Sequence, residues 1–229
     1  MKVGIMQPYL FPYIGYFQLM RAVDTFVIYD DVNFIKQGWI NRNRLLLNGK
    51  DFMFNITLNG ASSFKKINEI GVQGNNQKLI KTIEQAYYKA PHFRTVFPML
   101  NEILLYQESN LAKYLTNSLH VIVNYLGIDI TILISSEIKK DDSLKADDKI
   151  INICQHLTAT NYINAIGGQE LYSKQKFAQH GLVLNFIKSK PITYQQFKNN
   201  FIPWLSIIDV MMFNSKNEIW SLINNYELV

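Results

Sequence analysis

The sequence predicts an α/β fold: a mostly parallel sheet with helices on both faces, a β-hairpin and a helical insertion. Three observations predict it. Apolar runs at Val3–Met6 and Thr25–Asp31 bracket the amphipathic stretch Ile14–Ala22, which is the pattern of a βαβ unit with a right-handed crossover. Residues 77–126 then carry only helical periodicity. After Gly127 strand and helix alternate again, so one discontinuous parallel sheet runs through both halves. The expected organisation is Rossmann-like: a single α/β domain over 1–229, with 77–126 as a helical insertion within it.

The elements follow in order. Behind the βαβ unit, LLLNGKDFMFNITL holds Asn48-Gly49 between two apolar runs, a two-residue hairpin signal. In the helical block, QKLIKTIEQAYYKA stops before Pro91, and HFRTVFPMLNEILLYQ follows with Pro98 kinking or restarting it. SNLAKYLTNSLHVIVNYLG takes Ser109 as N-cap and Gly127 as its stop. IDITILISS reads as a strand and DDKIINICQHL as a helix capped by Asp147. NYINAI is a strand, SKQKFAQHG a short helix ending at Gly181, and LVLNFI a further strand. The final stretch carries two capping-box patterns, Ser206 with Asp209 and Ser215 with Glu218.

Composition narrows the function classes. At 229 residues with 48% hydrophobic and 18% charged content, the chain can bury a real core without a metal or disulfide staple. No apolar run approaches the roughly 18 residues of a membrane span, and MKVGIMQP is a poor start for a signal peptide, so a cytoplasmic protein with no membrane span is expected. The single Cys154 excludes an internal disulfide and lies on an apolar face with Ile150, Ile153 and Leu157, which makes it core rather than nucleophile. The four histidines, 92, 120, 156 and 180, have no partners at metal-ligand spacing, so no metal site is expected from them. A net charge of +5 favours an acidic ligand, but scattered Lys and Arg, paired only at Lys65-Lys66 and Lys139-Lys140, make no nucleic-acid stripe.

The chemistry concentrates around QPYLFPYIGYF, residues 7–17, directly behind the first strand. Ligands of open parallel sheets sit beyond the carboxyl ends of the strands, where this loop lies. Pro8 and Pro12 stiffen it, Gly15 permits close backbone approach, and the following helix N-terminus offers N–H groups to an anion. Gln7, Pro8, Tyr9, Pro12, Tyr13 and Gly15 are therefore candidate binding residues; an aromatic plug built of Tyr9, Phe11, Tyr13 and Phe17 is the competing interpretation. Asp30 and Asp31 close the second strand at the same edge, where a carboxylate can hold a magnesium ion, a sugar hydroxyl or a substrate ammonium. Lys36, Trp39, Arg42, Asn43 and Arg44 then bring cations and an aromatic face together, suited to phosphate and to ring stacking. Gly167-Gly168, after a later strand, is a second candidate backbone site.

Four stretches, QPYLFPYIGYFQL, VDTFVIYDDVNFIKQGWINRNRLLLNG, NYINAIGGQELY and FIPWLSIIDVMMFNS, resemble the WbqC-like family found with bacterial O-antigen and surface-polysaccharide gene clusters. The resemblance spans the chain. It implies transfer of glycine to an amino sugar of a surface glycan, and its signature positions here are Gln7, Pro8, Pro12, Gly15, Asp30, Asp31, Trp39, Arg42, Asn43, Gly167, Tyr172, Gln196, Ser206 and Asp209. Many members carry Cys-Gly or a similar pair after the Phe-Asn of the last motif; here Ser215-Lys216 follows Phe213-Asn214, a poor place for chemistry. A more distant analogy links strand, proline loop, glycine and helix to adenylyl-transferring enzymes with a HIGH-type signature. Pro12-Tyr13-Ile14-Gly15-Tyr16 lacks their histidines, leaving Lys36, Arg42 and Lys145 as the available cations.

The expected function is an amide-forming transferase or ligase placing glycine, or a similar small acyl group, on the amine of an amino sugar, nucleotide-linked or within a glycan intermediate. Asp30, Asp31 and Arg42 are the expected catalytic residues, the carboxylates orienting the amine or a metal and Arg42 with Lys36 holding phosphates. The cofactor stays open, with ATP and magnesium one option and an aminoacyl donor, including aminoacyl-tRNA, another. A non-catalytic nucleotide-sugar or glycan-binding subunit and an adenylyl-transferring enzyme are the alternatives.

Overall fold

The computed structural model describes every residue except Asn199. Its central sheet has six strands: β1 (Lys2–Met6), β2 (Thr25–Ile28), β7 (Thr131–Ile134), β8 (Asn161–Ala165), β9 (Val183–Ser189) and β10 (Tyr226–Leu228). Their spatial order is β10-β9-β8-β1-β2-β7. All pairs are parallel except β10 with β9. The chain leaves β1 toward β2 and β7, then returns to β1's other side with β8. This order reverses direction between β1 and β8, which makes the carboxyl ends of those strands the topological switch point.

Alternating side chains feed two cores. Val3, Ile5 and Val27 face one cluster with Ile150, Ile153, Cys154 and Phe177, contributed by α5 (Ala146–His156) and α6 (Lys174–Gln179). Phe26 and Ile28 face the other, with Phe17 and Leu19 of α1 (Ile14–Ala22) and Ile219 of α8 (Lys216–Ile223). The period-two alternation of β1 and β2 thus meets helices on both faces, the expected class.

The hairpin forms as expected. β3 (Arg42–Leu47) and β4 (Lys50–Asn55) pair antiparallel, and Asn48 (φ 52°) and Gly49 (φ 73°) both take the left-handed backbone of a type I′ turn. A minimal pair, β5 (Leu58–Asn59) with β6 (Gly71–Val72), leads into α2 (Gln77–Tyr87), α3 (Phe93–Leu105) and α4 (Leu111–Leu126). Helix α7 (Ile207–Phe213) precedes α8.

Several local expectations shift. The second strand ends at Ile28 rather than Asp31, so both carboxylates lie just past it. Helix α3 neither restarts nor breaks at Pro98, because the proline sacrifices only the bond to the Arg94 carbonyl, in the helix's first turn. Asn110, not Ser109, caps α4, accepting from the Lys113 N–H at 3.2 Å. Helix α5 starts before Asp147; the Asp147 carboxylate lies in its first turn, paired with Lys176 at 3.0 Å. Gly127 stops α4 in the left-handed region, as expected. Among the described residues no helix is long and apolar enough to cross a membrane.

Candidate functional site

The β1 loop is both a plug and a rim. Leu10 and Phe11 are fully buried, as is Phe17 below them, whereas Gln7, Tyr9, Tyr13 and Gly15 are half-buried along the opposite side. Pro8 and Pro12 are buried between them. Three contacts fix the loop. The Asn43 amide donates to the Leu10 and Phe11 carbonyls at 3.1 and 2.8 Å, the Leu10 N–H donates to Ile40, and the Ile207 N–H donates to Pro12. Asn43 is therefore a clamp beneath the loop, and it holds Phe11 in a left-handed backbone (φ 44°). The Tyr16 hydroxyl closes the other end on the Gln7 carbonyl at 3.0 Å. A Cβ at Gly15 would stand 2.9 Å from Ser189 Oγ at the end of β9, so the absent side chain lets α1 start against that strand.

Beyond β2, the two aspartates divide their work. Asp30 accepts from the Ser136 N–H at 2.9 Å, the Ser136 hydroxyl at 2.6 Å and the Asn68 amide at 3.1 Å, joining β2 to the end of β7. Asp31 meets two buried ammonium groups, Lys140 at 3.0 Å and Lys149 at 2.9 Å, both on Oδ2. Lys140 also donates to the Ser135 carbonyl, and Lys149 lies 5.3 Å over the Tyr29 ring. Burial alone would raise the Asp31 carboxyl, but the adjacent Ser135 hydroxyl and the two cations outweigh it and hold the group below its ordinary value. Asp31 Oδ1 and Ser135 Oγ are both shut off from solvent and make no well-formed hydrogen bond among the described residues, so the Ser135 hydroxyl acts on the carboxylate by proximity. Two ammonium groups already neutralise Asp31, so a further cation there, whether a magnesium ion or a substrate ammonium, would be repelled.

Tyr172 reaches this cluster from the β8 side. Its ring meets Tyr162 edge-on at 6.0 Å, and its charge, after burial and that of Asp31, adds to the upward shift of the Tyr29 phenol. Gly168 is compelled, since a Cβ there would collide with the Asn164 amide; its carbonyl accepts from the Leu171 and Tyr172 N–H groups. Gly167 is exposed, with open space at its Cβ position.

The segment from Lys36 to Arg44 lies along the outer side of the β1 loop. Lys36 is exposed. Arg42 donates through Nε to the Gly38 carbonyl at 2.9 Å and through Nη2 to Gln37, and it lies 5.9 Å over the Trp39 ring, with Arg44 on the same ring at 5.3 Å. Arg42 thus spends part of its fork on its own turn.

Gln196 belongs to a different hub. Its amide donates to Asp209 at 2.7 Å, as do the hydroxyls of Tyr194 at 2.7 Å and Tyr87 at 2.9 Å. The Ser206–Asp209 capping box consequently does not form: Ser206 makes no side-chain cap bond, because Asp209 points inward to these three donors. Ser215 and Glu218 do form theirs. Burial pushes the Asp209 carboxyl up to about 6, against the pull of its donors. Cys154, buried and pushed up to about 12, is unsuited to nucleophilic work.

Sequence reasoning missed Lys149, Lys140, Tyr29, Ser135 and Trp204. Lys149 carried a signal: it precedes Ile153 and Leu157 at i, i+4, i+8 on the apolar stripe of α5, where a lysine needs a buried partner.

The strand order, the β1 loop at the switch point and the charged cluster beyond β2 define an α/β protein built on a Rossmann-type sheet. The profile of the WbqC-like protein family matches residues 7–220, and the chain belongs to that family. It is 28% identical over 218 residues, 93% of each chain, to the uncharacterized protein Rv1507c of Mycobacterium tuberculosis (strain ATCC 25618 / H37Rv). No solved structure matches significantly.

Proposed function

We propose that this protein is an amide-forming transferase or ligase that places glycine, or a similar small acyl group, on the amine of an amino sugar used in surface-polysaccharide synthesis. The observation that carries the proposal is the charged carboxyl edge: Asp31, kept ionised by the Ser135 hydroxyl and two buried lysines, lies beyond β2 at the same edge as the half-buried rim of Gln7, Tyr9, Tyr13 and Gly15. The resemblance to proteins of O-antigen clusters supports the substrate class. In this reading the whole chain is one α/β domain with 77–126 inserted, and it works in the cytoplasm.

The sugar amine aims its lone pair at the acyl carbonyl, and the buried Asp31 carboxylate acts from behind by holding the Lys140 and Lys149 ammonium groups in place. Attack forms the C–N bond and breaks the C–O bond of an activated glycyl ester or adenylate; the leaving oxygen keeps the electron pair, and the amine's surplus proton passes to water. Because Asp31 is buried and held low, it positions the two lysines rather than removing the amine's proton. Lys36, with the free edge of Arg42, offers positive charge to phosphate, and Gln7, Tyr9, Tyr13 and Gly15 line the rim that receives the sugar. Asp30, Asn43 and Gln196 hold the crevice's walls in place through the contacts above.

A binding subunit without turnover is the second reading, favoured by the engagement of both Asp30 oxygens and of the Arg42 fork in internal hydrogen bonds. Incubation with nucleotide-linked amino sugars, glycine and ATP, or with glycyl-tRNA, separates the two by mass spectrometry. The amide product is expected, reduced about 100-fold or more by Asp31→Asn; tight binding with no product under either donor would leave only the second reading.

A further inference from the structure

Between β9 and α7 the described residues form no helix or strand, yet the chain is fastened at intervals. Gln196 grips Ile202 through both its amide atoms, at 3.1 and 2.7 Å, and Asp209 grips Gln196. Leu205 is buried, and the Ser206 N–H donates to the Arg44 carbonyl at 2.9 Å. Between these anchors stands Trp204, 63% exposed, with a left-handed backbone at φ 62°. A bulky side chain in that region costs on the order of 1–2 kcal/mol, and it persists only where surrounding contacts dictate it. Here those contacts hold an indole out in solvent. Among the described residues its aromatic neighbour is Tyr13, at 5.2 Å and tilted by 47°, and most of the indole stays exposed.

Position gives the exposed ring a meaning. Tyr13 is the residue before α1, and Gly15, two residues on, abuts Ser189 at the end of β9. Trp204 therefore stands at the β9 side of the carboxyl edge, whereas Asp31 lies beyond β2. In the order β9-β8-β1-β2 these ends are three strand spacings apart, about 14 Å across the switch point. That span fits an extended sugar nucleotide with its sugar amine at one end and its base at the other. The flat ring at the β9 end matches the base, and the β2 end, where Asp31 and its lysines lie, takes the sugar.

We infer that Trp204, backed by Tyr13, is the stacking platform for the nucleobase of a nucleoside diphosphate, so that the amino-sugar acceptor is nucleotide-linked rather than carried on a lipid or a finished glycan. The inference rests on the amide-forming reading for the role of the sugar but makes a separate binding claim. Uridine, thymidine and guanosine diphosphates are titrated into the full chain by calorimetry and tryptophan emission, beside inorganic pyrophosphate and free glucosamine. At least one nucleoside diphosphate should bind and quench emission. Trp204→Ala should weaken it about tenfold or more, while Trp204→Phe keeps most of the affinity and loses the quench. Circular dichroism checks that both variants fold, which the exposure of the side chain favours. Failure of every nucleoside diphosphate to bind, equal affinity in Trp204→Ala, or binding by pyrophosphate or glucosamine alone would each overturn it. Base-dependent binding without amide product sinks the chemistry and keeps the platform; amide formation on an amino sugar lacking a nucleotide sinks the platform and keeps the chemistry.

Discussion

Asp209 and Asp31 are both buried carboxylates, and their surroundings push them in opposite directions. Among the described residues no cation pairs with Asp209, so burial prevails and its carboxyl rises from 3.8 to about 6 in the folded chain. A folded value above the unfolded one means the native state holds the proton more tightly. Its contribution to stability is full below about pH 4 and is lost as pH rises through about 6, a change of up to about 3 kcal/mol. Urea unfolding between about pH 4.5 and pH 7 should show stability falling with pH in the native protein and a flatter profile in Asp209→Asn; parallel profiles would refute the assignment. Asp31 has the opposite sign: with its folded value below 3.8, its contribution is present above that pH and disappears on acidification. The sequence marked both aspartates as signature positions, but neither environment was legible in it. Lys149 lies 118 residues from Asp31, and Tyr87 lies 122 from Asp209.

At the level of elements, local signals located nearly every helix and strand and failed mainly at their ends. Helix α1 and the Asn48-Gly49 turn follow from residues within a few positions of one another, so near neighbours encode them fully. Ser109 and Asn110 are both good caps, and sequence alone does not choose between them. The choice falls to Asn110 because its amide also donates to the Asn68 carbonyl at 2.7 Å, tying α4 to the segment beyond β5. Asn110→Ala should accordingly cost about 1–2 kcal/mol in chemical denaturation and Ser109→Ala less than about 0.5 kcal/mol; equal costs would restore Ser109 as the cap. Strands β5, β6 and β10 carry two or three residues each, too few to show a period. β10 forms because the longer β9 offers it an edge, and β5 and β6 form by pairing with each other across 11 intervening residues.

Across the whole molecule, the central strands β1, β2 and β8 are paired on both sides and covered on both faces, whereas the segment after β9 is held by side chains. Hydrogen exchange should therefore protect Val3–Ile5, Phe26–Ile28 and Tyr162–Ile163 close to the global limit and release residues 193–196 first; protection of that segment equal to the sheet's would contradict this ordering. The sequence by itself determined the α/β class, the βαβ opening, the hairpin, the helical block at 77–126 and the placement of the QPYLFPYIGYF loop at a carboxyl edge. Each of these rests on periodicity, turn chemistry or capping, which act over a few residues. Only the tertiary structure decided that β8 returns beside β1, that Asn43 sits beneath the loop as its clamp, that Lys140 and Lys149 close on Asp31, and that Trp204 stands exposed over Tyr13. Those are meetings between distant parts of the chain, fixed by which surfaces must be buried together, and no local pattern records them.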